Sequence, residues 1–131
     1  MAPIYLDHIP DGTSIRPFAH YGQLTLGKNI FKKCHLGSSE ENVNRYGFEA
    51  PPVYNVSKVT TPVALFVGDE DVLSTVEDVK NLAANLHNVS LFKVLEGYQH
   101  TDFMVALNAD KLIYAKILEM MQATLIAKPS K

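Results

Sequence analysis

The stretch Thr61-Pro62-Val63-Ala64-Leu65-Phe66-Val67-Gly68-Asp69-Glu70-Asp71 decides how this chain is read. From Pro62 to Val67 every residue is apolar, and Gly68 closes the run. An unbroken apolar run suits a strand buried on both faces, as in a parallel sheet; a strand with one wet face would alternate. The acidic turn Asp69-Glu70-Asp71 follows. Beyond it Val76, Val79, Leu82, Ala83 and Leu86 recur at helical spacing and predict an amphipathic helix over about Thr75 to Leu86. Ser90-Leu91-Phe92-Lys93-Val94-Leu95 reads as a second strand, and Gly97-Tyr98-Gln99-His100 as the turn after it. A last helix is expected after Asn108, a good N-cap residue, with Leu112, Ile113, Ile117, Met120 and Met121 on its apolar side. Strands alternating with helices predict an α/β fold with a parallel sheet and right-handed crossovers. Two strands do not make a stable parallel sheet alone. The pattern therefore predicts part of a larger sheet, with an unpaired edge on the first strand and an exposed apolar face.

Upstream of about residue 58 the texture changes. Turn residues dominate: Pro10-Asp11-Gly12, Pro17, Gly22, Gly27, Gly37-Ser38-Ser39, Gly47 and Pro51-Pro52. One helix is expected there, over about Ile15 to Lys28, with Thr13 or Ser14 as its N-cap and Gly27 at its end. The rest of this part reads as loops, since its apolar residues show little periodicity. Three regions follow: 1–58, 59–125, and a tail, 126–131, expected to fray.

The bulk numbers exclude several classes. At 131 residues the chain suffices for one compact domain. Hydrophobic residues at 47% and charged residues at 20% are an ordinary globular mixture, which argues against disorder. A formal net charge of -2 argues against a nucleic-acid-binding surface. No run of ~18 apolar residues would span a bilayer, and no signal peptide is expected within this sequence. The lone Cys34 says little about redox compartment. Asn55-Val56-Ser57 and Asn88-Val89-Ser90 are glycosylation sequons, which makes Asn55 and Asn88 candidate sites in a secretory setting.

In open α/β sheets functional groups gather past the carboxyl ends of the strands. The first strand delivers Asp71 to that position and the second delivers His100. A carboxylate beside an imidazole accepts the Nδ1–H and fixes the tautomer, leaving Nε2 to take a proton from a nucleophile. The order Asp then His matches the downstream part of a Ser…Asp…His triad of the α/β-hydrolase type. Plainer readings stand beside this one. Asp71 can serve as a turn residue or helix starter, Asp69 and Glu70 compete for its role, and His100 can be a surface turn residue. No two histidines have the i, i+4 spacing of a zinc-peptidase helix.

A set of segments then adds a resemblance: Tyr5-Leu6-Asp7-His8-Ile9-Pro10-Asp11-Gly12-Thr13-Ser14, His20-Tyr21-Gly22-Gln23, Tyr46-Gly47, Pro51-Pro52-Val53-Tyr54-Asn55-Val56-Ser57, Pro62 to Leu73, Asp78-Val79, and Tyr98-Gln99-His100-Thr101-Asp102-Phe103. In this order they resemble the carboxy-terminal third of the acid lipases, the gastric and lysosomal lipase family, over about Ile4 to Met121. The resemblance implies an incomplete α/β-hydrolase fold. The last two parallel strands and their flanking helices would be preceded by the distal part of a cap, or lid, region at 1–58. It implies that the G-x-x-D-x-L turn carries the triad acid at Asp71 and that the Y-x-H-x-D-F segment carries the triad histidine at His100. Asp102 and Phe103 would have a structural role in starting the next helical turn. His20 would be a packed or hydrogen-bonded cap residue; His8, His35 and His87 are read as ordinary surface or cap residues.

This sequence departs from the family at Asp69 and Glu70, where a second glycine and an asparagine are usual. Two extra carboxylates are expected to repel the Asp71 charge and raise its pKa. Cys34-His35 stands where the family has an aromatic and an acidic residue. No G-x-S-x-G occurs: Ser14, Ser38, Ser39, Ser57, Ser74, Ser90 and Ser130 all lack glycine flanks. The resemblance thus implies a fragment of a serine-type hydrolase of neutral lipid esters, triacylglycerols or sterol esters. That fragment would be inactive without the amino-terminal half that carries the nucleophile. No metal or other cofactor is implied. Transient contact with a lipid interface, and a secreted or lysosomal location, follow from the family alone. Phe18, Tyr21, Leu24, Leu26, Phe31 and Phe48 are candidates for an acyl-chain route, beside the plainer reading that most of them only pack the cap onto the core; no specific substrate-binding residue is assigned. The alternative readings are a truncated, non-catalytic lipase-like lipid-binding or regulatory protein, and an unrelated small α/β domain.

Overall fold

A computed structural model describes residues 14–27 and 30–126. The Tyr5–Thr13 segment with His8, residue 28 and the tail beyond residue 126 lie outside the described residues. The chain divides into two compact units, Met1–Asn55 and Val56–Lys131.

The first unit holds two helices. Helix α1, Ile15–Thr25, starts where the Ser14 hydroxyl accepts the Arg16 amide at 3.3 Å. It ends before Gly27, whose amide bonds back to the Leu24 carbonyl at 3.0 Å, so the helix stops short of the expected Lys28. Helix α2, Ser39–Tyr46, stands where the sequence predicts a loop. Its signals are nevertheless local: Ser38 caps the Glu41 amide at 3.1 Å, and Gly47 takes the left-handed conformation, φ 80°, that closes a helix. Glu40 and Glu41 in the first turn and Arg45 in the last all complement the helix dipole and stabilise the helix. A single antiparallel bridge, Lys32 with Val53, joins the two loop arms of this unit.

The second unit is a small α/β arrangement. A 3-10 turn at Val56–Lys58 precedes strand β1, Val63–Gly68. Helix α3, Val76–Asn85, connects it to strand β2, Val89–Leu95. The strands are parallel, with Leu65 opposite Phe92 and Gly68 opposite Leu95; a register shift at Val63/Ala64 leaves Ser90 as the extra residue. Val76, Val79, Leu82 and Ala83 form a half-buried stripe, and α3 packs against both strands. Among the described residues β1 pairs with β2 alone.

The last helix begins just past Asn108, as expected, but its first turn is π-helical, and the separate helical turn expected at Asp102 and Phe103 stands before it. Helix α4, Asp102–Val105, is a single turn; a π-helical turn, Asp110–Tyr114, follows; helix α5, Ala115–Ile126, completes the run. Ile126, expected in the frayed tail, is helical. Asn108 does not cap with its side chain. Its carbonyl accepts the Lys111 and Leu112 amides, while its Oδ1 takes the Tyr98 hydroxyl at 2.8 Å. Lys93 donates to the Leu112 carbonyl at 2.8 Å, an acceptor inside the π turn. The core is Leu95, Tyr98, Ala109 and Ile113, with Phe66, Phe103, Ala106 and Ile117 against it. Both strands are thus buried mainly near their carboxyl ends, where β1 passes from half-buried Phe66 to buried Val67 and Gly68.

Candidate active site

Both strands run the same way, so their carboxyl ends lie on one rim, and the two turns beyond them meet. Gly68 makes the meeting close. A methyl group built on it would stand 2.0 Å from the Tyr98 carbonyl oxygen, so only glycine fits where the second turn crosses the first strand's end. The ladder continues past the strands through Asp69 N–H to the Leu95 carbonyl and Glu70 N–H to the Tyr98 carbonyl, each 3.2 Å.

This crossing brings His100 Nδ1 to 3.0 Å from Asp71 Oδ2. The partners are unequally placed: the Asp71 side chain is 4% exposed and that of His100 56%. The other Asp71 oxygen, Oδ1, accepts the Leu73 and Ser74 amides, both at 2.9 Å. One carboxylate therefore shapes its own turn with one oxygen and faces the imidazole with the other. Burial pushes the Asp71 carboxyl up, but the hydrogen bonds from Ser74, His100 and Leu73 and the charge of His100 outweigh it. Its pKa lies below the ordinary value of 3.8. The rise expected from Asp69 and Glu70 is absent: the hydrogen bonds and the His100 charge decide the direction, and both other carboxylates bond elsewhere. Asp69 Oδ1 accepts the Gly97 amide at 2.7 Å, and Glu70 Oε2 lies 3.5 Å from Gln99 Nε2.

Asp102 and Phe103 support the histidine turn. Asp102 Oδ2 accepts the Gln99 amide at 2.7 Å while its own amide donates to the Gln99 carbonyl at 3.1 Å, and helix α4 starts there. Phe103 meets Tyr98 edge to face at 5.7 Å. Burial, together with Asp102, Asp110 and Tyr114, pushes the Tyr98 phenol up, so it keeps its proton to donate to Asn108. Sequence reasoning missed Gly68, Tyr98 and Asn108 as parts of this site. Gly68 was legible as a run-ending glycine, whereas nothing local announces the Tyr98–Asn108 bond.

With Nδ1 turned to Asp71, the ring presents Nε2 outward, where it meets no partner among the described residues. Such a pair can take a proton at Nε2 and hold the resulting imidazolium against a carboxylate. The other expected residues lie elsewhere. His20 Nε2 lies 2.8 Å from the Lys32 carbonyl oxygen, and His35 Nδ1 accepts the Gly37 amide at 3.0 Å. Asn55 and Asn88 are both exposed. Asn88 precedes β2, at the amino end of the strands and opposite the rim of Asp71 and His100. Phe18, Tyr21, Leu26, Phe31 and Phe48 are all exposed, and Leu24 is half-buried. A cavity of about 850 Å³ lies in the first unit between α1 and α2; Arg16, Gln23, His35 and Arg45 line it, and neither Asp71 nor His100 does.

No family model matches the chain. Individual proteins do. Gastric triacylglycerol lipase of Rattus norvegicus is 36% identical over 118 residues, which cover 90% of this chain and 30% of that protein. Lipase member N of Mus musculus is 34% identical over 119 residues, 91% of this chain and 30% of that protein. The chain is a homologue of the gastric and lysosomal lipases, matching their carboxy-terminal part. Lipase member K of Homo sapiens, 30% identical over 119 residues, spans 91% of the chain and 30% of its own length. This chain thus spans about 30% of the length of the acid lipases it matches.

Proposed function

We propose that this chain is the carboxy-terminal portion of a serine-type lipid ester hydrolase, contributing Asp71 and His100 to a Ser-Asp-His triad whose serine lies outside these residues. The contact of 3.0 Å between His100 Nδ1 and Asp71 Oδ2 at the carboxyl rim of parallel strands carries this reading. The elbow serine would attack an ester carbonyl. His100 Nε2 takes the hydroxyl proton and returns it to the leaving alcohol. Asp71 holds the ring in the tautomer that leaves Nε2 free and balances the imidazolium. Water then releases the fatty acid from the acyl-enzyme.

The substrate class, triacylglycerols or sterol esters, is proposed from the relatives, one of which is named a triacylglycerol lipase. In this reading residues 1–58 are the distal part of the cap and residues 59–125 the end of an α/β-hydrolase core. That β1 has one strand partner among the described residues supports a sheet that continues beyond it, since two parallel strands are marginal alone. A secreted or lysosomal setting, with glycans at Asn55 and Asn88, belongs to the same proposal.

The test is a chimera in which this chain replaces the matching portion of rat gastric triacylglycerol lipase. The chimera is expected to release fatty acid from emulsified triacylglycerol, the isolated chain is not, and His100→Ala in the chimera should cut turnover by ~10³-fold or more. A folded chimera without hydrolysis defeats the proposal, and would favour a lipid-binding, non-catalytic role. Turnover by the isolated chain would overturn the assignment of the nucleophile to sequence outside it.

A further inference from the structure

The imidazole of His100 is more than half exposed, so packing alone does not hold it. Its place is set by Asp71 and by the turn on which it stands. Two amides of that turn are held by carboxylates: Gly97 by Asp69 and Gln99 by Asp102, each at 2.7 Å. These two restraints differ in kind. Asp102 follows His100 on the same turn and moves with it. Asp69 belongs to the turn after β1, the one that carries Asp71.

The remaining ties between the turns are weaker. The two backbone bonds, Asp69 to Leu95 and Glu70 to Tyr98, are 3.2 Å long, and the Glu70–Gln99 contact is 3.5 Å. A hydrogen bond to an ionised acceptor is shorter and about twice as strong as a neutral one. Gly97 sits in the left-handed conformation, φ 70°, just past the end of the ladder, and its amide is satisfied by the Asp69 carboxylate. Among the described residues Asp69 is thus the strongest side-chain link, apart from the Asp71–His100 pair itself, between the aspartate-bearing turn and the histidine-bearing turn.

We propose that Asp69 is a positioning residue for His100: by holding the Gly97 amide, its carboxylate locks the second turn to the first and so sets the imidazole against Asp71. The inference rests on the reading of Asp71 and His100 as a catalytic pair. Without the Asp69 link the turn at Gly97 gains freedom, the ring spends less time against Asp71, and its tautomer is no longer imposed.

The experiment uses the full 131-residue chain with ¹⁵N-labelled histidine, at a pH about two units above the ordinary histidine pKa of ~6.5. Two quantities are read: the tautomer balance of the His100 ring from its nitrogen shifts, and hydrogen exchange at the Gly97 amide. Asp69→Ala is expected to speed Gly97 exchange about tenfold and to move the His100 tautomer balance toward that of free imidazole. Asp69→Asn, which keeps an acceptor oxygen at the same reach, is expected to restore most of the tautomer bias. A purely structural role would lower thermal stability and leave the ring tautomer alone. Wild-type ring shifts in Asp69→Ala, or an Asp69→Asn chain that behaves like Asp69→Ala, overturn the inference. Should Asp69→Ala fail to fold, Asp69→Ser replaces it, with the same loss expected because the shorter side chain does not reach Gly97. Asp71→Asn separates the two claims. Unchanged ring shifts in that variant overturn the underlying pairing. Changed shifts there with none in Asp69→Ala overturn the Asp69 inference alone.

Discussion

The two units are built on different principles. In Val56–Lys131 the buried residues are chiefly apolar, Val67, Leu95, Tyr98, Ala109 and Ile113, with Asp71 the polar exception. In Met1–Asn55 the one buried residue among those described is Asn42. Its Oδ1 accepts the Leu36 amide at 3.0 Å and its Nδ2 donates to the Glu49 carbonyl at 2.7 Å. Around it Gln23 pairs in both directions with the His35 backbone, at 2.7 and 3.0 Å, and the Tyr46 hydroxyl donates to the Cys34 carbonyl at 2.9 Å. Apolar packing draws distant segments together without specifying much about them. A scaffold of side-chain-to-backbone bonds holds irregular loops in one shape, but each bond is worth only about 1 kcal/mol net. The second unit therefore has a core that can position a reactive pair, and the first has a defined loop framework with its large apolar side chains left outward.

The severest test of this contrast is Gly68→Ala. The added methyl has nowhere to go beside the Tyr98 carbonyl, so the turns must part. A loss of about 3 kcal/mol or more is expected, read by denaturant unfolding, with faster amide exchange at Val67 and Ile113 and none of that effect at Leu36. A variant of wild-type stability would mean that the crossing of the two turns is not tight. Next is Asn42→Ala, which leaves the Leu36 amide and the Glu49 carbonyl without their partner. The expected cost is about 2 kcal/mol, confined to exchange in the first unit; equal loosening of both units would dissolve the distinction drawn above. The smallest effect is that of acid. The folded-state pKa of Asp71 lies below its ordinary value of 3.8, so its contribution to stability is present above that value and is lost as pH falls through the lower one. A pH series of unfolding midpoints should decline in that window, and Asp71→Asn should flatten the decline. An unchanged slope would show that other carboxylates govern acid unfolding.

The strands and α3 are legible in the sequence because their patterns are long and burial leaves little choice of residue: Val63 to Val67 has one apolar side chain after another, and Val76, Val79, Leu82 and Ala83 keep a helical stripe. Helix α2 escapes a search for periodicity although Ser38, Glu41 and Gly47 announce both its ends, because with Asn42 as its buried residue it has no apolar stripe to find. The last helix is legible in place but not in form. Its first turn is π-helical where Lys93 reaches the Leu112 carbonyl, and Asn108 before it holds the Tyr98 hydroxyl instead of capping, contacts between segments that no periodicity encodes.

The candidate site divides in the same way. Asp69, Glu70 and Asp71 carry the same chemical group at consecutive positions. Read from the residues alone, any of the three is a partner for His100; the choice of Asp71 came from the family motif. In the folded chain the three carboxylates part company, with Asp69 on the Gly97 amide, Glu70 toward Gln99 and Asp71 on the imidazole. Local order along the chain was enough to establish two parallel strands with an acidic turn and a histidine turn at their ends, since side-chain periodicity follows directly from backbone geometry. Which carboxylate meets the ring was settled by the crossing of two turns at Gly68, because a contact between residues far apart in sequence depends on how separate segments pack.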